Sequence, residues 1–313
     1  MIAMRSPCGG CPVSWRHYGL AGRKVGSELD FGKRNRDDQA PCVNRDGYLM
    51  NADQFFAAYP VFTAAEFGEA FGLVGRPRDA MLARQRRAGR LIQVRRGLYW
   101  VVPPGQTPDE CEVDLWVCAG LMTEDAVLAY HTALAWHTNR PSGPREVHYL
   151  TAHAVRQTRF RGWRLRGIPF PRALVRAGRE LEAVDWMERG PETVRVAARE
   201  RTLVDVLDRP DLGRDWPQIW SALGPLDDLD VDLVVDYALT LANATTIAKV
   251  GWYLEVHANR LGVTSSVLEI LCARRPRQPH YLRRRDIGAA RMIPRWNLVV
   301  PHELAEQAES GAR

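Results

Sequence analysis

A change of residue type inside residues 76–102 constrains this chain more than any other feature. Arg76 to Ala88 is built from the helix formers Arg, Ala, Met, Leu and Gln, whereas Leu91 to Val102 is rich in Ile, Val, Tyr and Trp, which favour strands. Gly89 stands where a helix C′ residue takes a left-handed conformation, and Arg96-Gly97 separates two short apolar runs as a hairpin turn does. From Arg76 to Arg96 there are eight arginines and a single acid, Asp79. A basic helix followed by a two-stranded wing with an arginine-bearing tip is the layout of a winged helix-turn-helix. In that layout the helix enters the major groove and the wing touches the backbone beside it.

The residues just upstream complete the motif. A short helix is predicted over Asp53–Ala58, broken by Tyr59-Pro60, and Thr63 and Glu66 have the spacing of a capping box that opens a second helix to about Phe71. Gly72 to Gly75 supplies the turn, and Pro77 suits the start of the third helix. On a helical wheel Met81, Leu82, Gln85 and Ala88 share one side, with Arg84 near that apolar arc; Arg76, Asp79, Ala83, Arg86 and Arg87 share the other. The second side is expected to face DNA, small Ala83 letting the backbone approach and the arginines reaching guanine edges or phosphates. The candidate DNA-binding residues are therefore Arg76, Arg78, Asp79, Ala83, Arg86 and Arg87 of the helix with Arg95, Arg96 and Tyr99 of the wing.

At 313 residues and 46% hydrophobic content, two folded units plus an accessory segment are expected. The formal net charge of +6 favours an anionic partner, but only three of 43 basic residues are lysine, so a general arginine bias supplies much of it and clustering matters more. No apolar stretch is long enough for a membrane span, and a soluble, cytoplasmic protein is the expectation. The six cysteines form no regular framework, which favours reduced thiols. Residues 1–49 mix Gly, Arg, Asp, Asn and Pro without periodicity and read as a disordered basic arm. Within it Cys8 and Cys11, with His17 and Cys42, lack the second close pair of a zinc site, so no metal is expected.

Residues 50–105 thus form the reader, and Pro103-Pro104-Gly105 marks a boundary before a second domain, 107–313. Thr107 to Glu110 repeats the capping-box spacing, and helices are predicted over Cys111–Leu121 and Thr123–His137. His131 and His137, six residues apart, fall on different helix faces and read as structural. After a strand at Val147–Leu150 come eight arginines between Arg156 and Arg179 before the first acid, Glu180, interleaved with Phe160, Trp163 and Phe170. Arg156, Arg159, Arg161, Arg164 and Arg166 make a second basic surface, suited either to tracking a phosphate backbone or to a solvated sheet edge. A strand at Val194–Ala198 and helices over Glu200–Leu207, Asp232–Ala242 and Thr245–Leu261 follow, with His257 packed on an apolar stripe and Gly262 as the stop. The fold class expected is α+β: an N-terminal winged helix-turn-helix and a larger mixed α/β C-terminal domain ending in helices.

No catalytic set emerges, and a binding protein without cofactors is expected. A metal-dependent nuclease needs an acid followed by Glu-x-Lys, and the lysines, at Lys24, Lys33 and Lys249, provide none. A nucleotidyltransferase needs paired aspartates near a Gly-Ser turn, whereas Asp227-Asp228 follows Gly-Pro. Nucleophile triads, P-loops and dinucleotide fingerprints are also missing.

Four stretches together carry a family resemblance: GlyArgLeuIleGlnValArgArgGlyLeuTyr in the wing, TyrHisThrAlaLeuAlaTrpHis at 130–137, ValAlaAlaArgGluArgThrLeuValAsp at 196–205, and TrpAsnLeuValValPro at 296–301. In this order the chain resembles, over about residues 50–301, the AbiEi-type antitoxins of type IV toxin-antitoxin and phage-defence systems. The resemblance implies a winged-helix domain that binds duplex DNA at inverted repeats in its own operator as an autorepressor. It also implies a C-terminal domain that counteracts a nucleotidyltransferase-like toxin without a stable complex. The arm before Met50 lies outside the resemblance. The competing expectation is an ordinary winged-helix regulator whose C-terminal domain senses a ligand or dimerises, distinguished by the absence of a neighbouring toxin gene.

Overall fold

Two reciprocal capping boxes open the described part of the chain. Asn51 and Gln54 exchange side-chain-to-backbone bonds of 2.9 Å at the head of α1 (Ala52–Ala58). Strand β1 (Val61–Thr63) then leads into the expected Thr63/Glu66 box, with bonds of 2.7 and 3.2 Å, that starts α2 (Ala64–Ala70). A Cβ at Gly68 would lie 2.5 Å from the Leu73 carbonyl oxygen, so a side chain there would displace the turn into α3 (Arg76–Arg87). Helix α3 stops at Gly89, φ +74°, and the hairpin of β2 (Leu91–Arg95) and β3 (Leu98–Val101) turns at Gly97, φ +82°. These strands pair antiparallel in the order β1-β3-β2. Element order and pairing are those of a winged helix-turn-helix.

The computed structural model describes residues 51–139, 145–154, 156–190, 192–213, 215–282 and 290–311. The arm of residues 1–49, with its cysteines and His17, lies outside the described residues. Beyond the wing come α4 (Leu115–Gly120), β4 (Val127–Leu128), α5 (Tyr130–Thr138), β5 (Glu146–Thr151), β6 (Thr158–Phe160) and β7 (Trp163–Pro169). Then follow α6 (Arg172–Ala177), β8 (Val184–Arg189), β9 (Glu192–Ala197) and α7 (Arg199–Asp208). The six strands form a mixed sheet, β6-β7-β5-β4-β9-β8, parallel at β5/β7 and β4/β9 and antiparallel elsewhere. A helical layer of α8 (Trp216–Leu223), α9 (Val231–Leu241), α10 (Ala244–Val256), α11 (Ala258–Leu261) and α12 (Ser265–Cys272) packs with α7. The small sheet of β10 (His280–Tyr281), β11 (Ala290–Ile293) and β12 (Leu298–Pro301), then α13 (His302–Gly311), close the chain, so the fold is mixed α/β and ends on a helix.

The wing sheet is covered on both faces. Phe62, Leu91 and Tyr99 point toward α1–α3 and pack with Phe55, Phe67 and Leu82. Val61, Val94, Leu98 and Trp100 point the other way, into a cluster with Val117, Cys118 and Met122 and with Val147 and Leu165 of the large sheet. The described residues belong to one compact unit. The boundary expected at Pro103-Pro104-Gly105 is thus a change of secondary structure across which the core is continuous.

Three expectations for this region are corrected. Only the Glu110 half of the Thr107/Glu110 box forms, with Glu110 accepting from Thr107 N at 3.2 Å and from Thr107 Oγ at 2.8 Å, and no helix follows it. The carbonyls of Pro108 and Cys111, which a continuing helix would use, instead accept from the Arg161 guanidinium. Helix formation waits for Asp114, which caps α4 at Trp116 N and Val117 N, 3.0 and 3.2 Å. The helix predicted over Thr123–His137 starts only at Tyr130, because Val127-Leu128 is a central strand between β5 and β9; a short, fully buried apolar run has no period that separates strand from helix. The helix predicted to run to Leu261 breaks at His257 between α10 and α11. Among the described residues no helix is long and apolar enough to cross a membrane.

His131, His137, His148 and His257 are held neutral by burial, and this sets a pH dependence. Burial, with His148 nearby and Asp211 opposing, lowers His131 to about 4, and burial with Arg260 lowers His257 to about 4. His137 and His148 are lowered by burial as well. An unfolded chain binds these protons near pH 6.5, so the stability they contribute is present above that pH and is lost as pH falls toward 4. Asp205, raised by burial to about 6 against the pull of Arg201 and Tyr237, acts in the opposite sense, losing stability as pH rises through 4 to 6. With four groups against one, the unfolding free energy from urea titration is expected to be lower at pH 5 than at pH 7. His131→Phe should remove on the order of 2 kcal/mol of that difference.

Candidate nucleic-acid interface

Helix α3 is fixed from one side only. Leu82 is fully buried among the aromatic residues of α1 and α2, and Met81 and Gln85 are half-buried. Arg78 lies along α2, its Cδ 3.0 Å from where a Gly68 Cβ would be, and its guanidinium pairs with Asp79 at 2.8 Å. The opposite side presents Arg76, Ala80, Arg84 and Arg87 exposed and Ala83 half-exposed. Arg84, assigned near the apolar arc by the wheel, is therefore on the open side. Ala88, predicted on the apolar side, is exposed, whereas Arg78 is half-buried through its stem, so the buried stripe is centred farther from Arg84 than the wheel puts it. Arg86 is exposed but donates to Gln93 of β2, and Arg87 Nε reaches the Ala83 carbonyl at 3.4 Å. Arg90 bonds to Asp53 and sits 4.9 Å over the Phe56 ring, which ties the end of the helix back to α1.

In the wing Arg96 is exposed at the tip beside Gly97. A β-bulge between Gln93 and Arg95 turns Arg95 toward the body, where its guanidinium donates to the Met122 carbonyl. Arg95 is thus a tie between wing and body rather than a groove contact. Tyr99 is corrected likewise: its ring stacks on Phe62, centroids 5.8 Å apart at 22°, in the core beneath the three helices. Burial raises its pKa, with Arg86, Asp79 and Arg78 within electrostatic reach.

The second basic surface divides. Strand register places Arg159 opposite Arg164 at the β6 edge of the large sheet, with Arg166 two residues on along the same face. Glu146, of which 7% of the side chain is exposed, pairs with Arg164, lies 4.0 Å from Arg166 and sits 2.9 Å from His148 Nε2. That carboxylate offsets part of the charge. Arg156 and Arg159 are exposed, but Arg161 occupies the Arg161-Gly162 turn, φ +47° and +79°, and is spent on the carbonyls of Pro108 and Cys111.

Other polar candidates have local partners. His137 Nε2 lies 2.7 Å from the Ala197 carbonyl, the His257 ring packs tilted at 60° against Tyr253 with centroids 4.5 Å apart, and Asp227 pairs with Arg260 at 2.5 Å. Among the described residues no group of three or more His, Cys, Asp or Glu side chains is placed to hold a metal ion.

No protein-family model matches the chain, and no curated protein is similar to it. Among solved structures, the Rv2827c protein of Mycobacterium tuberculosis, known from a crystal structure, is similar over 80% of this chain and 89% of its own length. The TM-score is 0.49 and the sequence identity 19%.

The two wing arginines are expected to behave differently on substitution. Arg95→Ala removes a charged hydrogen bond between wing and body and should cost about 1.5 kcal/mol of unfolding free energy in urea. Arg96→Ala, at an exposed tip, should leave it unchanged within about 0.5 kcal/mol. Equal effects of the two substitutions would contradict these roles.

Proposed function

We propose that this protein is a duplex-DNA-binding regulator that represses its own operon at inverted repeats and acts as the antitoxin of a type IV toxin-antitoxin system. The observation that carries the DNA-binding half is the open side of α3. There Arg76, Arg84 and Arg87 surround the small Ala80 and Ala83, and the wing tip adds Arg96. Small residues let the helix axis approach a groove, and guanidinium groups reach both phosphates and guanine edges. No catalytic residue or cofactor is needed for this activity, and the cytoplasm is where it would be exercised.

The antitoxin half rests on the resemblance of the four sequence stretches to AbiEi-type antitoxins. Its partner is a nucleotidyltransferase-like toxin, opposed without a stable complex. The alternative is an ordinary winged-helix regulator with a sensing or dimerising C-terminal domain. Growth of cells co-expressing the adjacent gene with and without this one separates the two: rescue supports the antitoxin, and an adjacent gene without toxicity supports the regulator.

DNA binding is tested by gel shift on the upstream region. If two copies make about 6–10 phosphate contacts, affinity falls by roughly 10³ or more between 50 and 200 mM salt. Arg84→Ala and Arg87→Ala should each weaken binding, and Arg76→Ala should also relax sequence choice. A salt-insensitive shift, or full affinity in an Arg84→Ala/Arg87→Ala double variant, would overturn the assignment of α3. The continuous core makes full-length variants the right test of whether the two activities separate. Arg84→Glu/Arg87→Glu is expected to lose repression and retain rescue.

A further inference from the structure

Val74 is the most exposed large hydrophobic side chain among the described residues, at 80% against 54% for Leu181, the next. It stands in the turn between α2 and α3, and its outward direction follows from its neighbours. Gly72, φ +61°, and Gly75, φ +62°, bracket Leu73 and Val74 with left-handed backbone that glycine adopts without strain. Between them Leu73 is anchored: its N–H donates to the Gly68 carbonyl at 2.8 Å, and its side chain packs on the aromatic core of α1 and α2. With Leu73 turned in, Val74 is left facing out.

The turn opens onto the N-terminal end of α3. Gly75, Arg76, Pro77, Asp79 and Ala80 are all exposed, and a Cβ at Gly75 would meet no atom within 4 Å. Arg76 can bond to phosphates and guanine edges, whereas a valine can bond to neither and gains only by covering another apolar surface. In the major groove that surface is the C5-methyl group of thymine, and the N-terminal residues of a recognition helix are the ones that reach base edges. Little entropy is lost in fixing Val74 there, because branching at Cβ restricts its rotamers and the turn is already held. A single exposed valine on an ordinary surface has no such meaning. This one is held at the head of the helix that carries Arg76, Arg84 and Arg87.

We propose that Val74 is a base reader, packing on the C5-methyl group of a thymine in each operator half-site. The inference rests on the assignment of α3 to the major groove and adds to it the chemistry of one base. Arg76 then accounts for guanine, and Val74 for thymine, at the same end of the helix.

Gel shifts of the full chain on the upstream duplex test this, with each thymine replaced in turn by deoxyuridine, a change that removes one methyl group and no hydrogen bond. At one thymine per half-site the replacement should weaken binding roughly fourfold, the effect of one buried methyl. Val74→Ala should weaken binding to the unmodified duplex by a similar factor, and at that thymine deoxyuridine should then have no further effect. Its melting temperature should stay within about 2 °C of the parent, since the side chain is exposed. Arg96→Ala, which lowers affinity at the wing, should keep the full deoxyuridine effect at the same position. A parent that binds the duplex with no thymine sensitive to replacement would overturn the proposal and leave α3 as the reader. So would a Val74→Ala variant in which every sensitive thymine keeps its full effect. A parent that binds no duplex DNA overturns the proposal and the assignment of α3 together.

Discussion

Arg201 carries its charge with no exposed surface, and much of the body is arranged to meet it. The guanidinium donates to the carbonyls of Glu180 and Glu182 at 2.8 and 2.7 Å and to Asp205, one helical turn on, at 3.3 Å. Tyr237 of α9 donates its hydroxyl to the same carboxylate at 2.8 Å and places its ring 5.3 Å from the guanidinium carbon. Removing either charge strands the other in an apolar interior, at a cost of about 3–5 kcal/mol. The segment before β8, helix α7 and helix α9 are therefore tolerated only in one mutual arrangement. Thr202, next to the arginine, donates to the Ala197 carbonyl at 3.1 Å and seats the start of α7 on the end of β9. The sheet and the helical layer meet through that helix, whose Leu203, Val204, Val206 and Leu207 belong to the main core.

The same arginine-to-carbonyl device recurs where the winged helix meets the body. Arg95 holds the Met122 carbonyl and Arg161 holds those of Pro108 and Cys111, so two cross-ties flank the apolar contact of the wing sheet's second face. A guanidinium suits this use because its planar fork satisfies carbonyls that neither helix nor strand has paired. In a chain so rich in arginine, position decides function. The residues tied to carbonyls build the fold, and those on the open side of α3 and at the wing tip stay available to a partner.

Much of the winged helix was legible in the sequence because its determinants are local. The Thr63/Glu66 box, Gly89 and Gly97 act through neighbours within a few residues, and each did what its spacing implied. The site was less legible where the deciding contact is distant. Nothing near Arg95 or Tyr99 announces Met122 or Phe62, and Thr107 bonds locally to the Glu110 carboxylate while Arg161, some 50 positions away, takes the carbonyls of the helix that spacing predicts. The wing strands themselves carry one further signal. LeuIleGlnVal and LeuTyrTrpValVal lack the alternation of a strand pair with one wet face, which is the pattern of strands buried on both sides. Read that way, the run points to a covered wing and so to Arg95 as an inward residue.

The double coverage also bears on how the proposed reader meets DNA. A winged helix on a flexible tether leaves the spacing of two half-sites to the linker, whereas here Val61, Val94 and Leu98 join the core of the body directly. On the proposed reading, the distance and angle between the two α3 helices of a bound pair are fixed by how two bodies meet. Operator geometry is then a property of the whole chain. Such rigidity removes the ordering cost that a tethered module pays on binding. Any change that shifts the body against the wing sheet, including one that alters the packing of Trp100, alters the reach of Arg76, Arg84 and Arg87 without touching them.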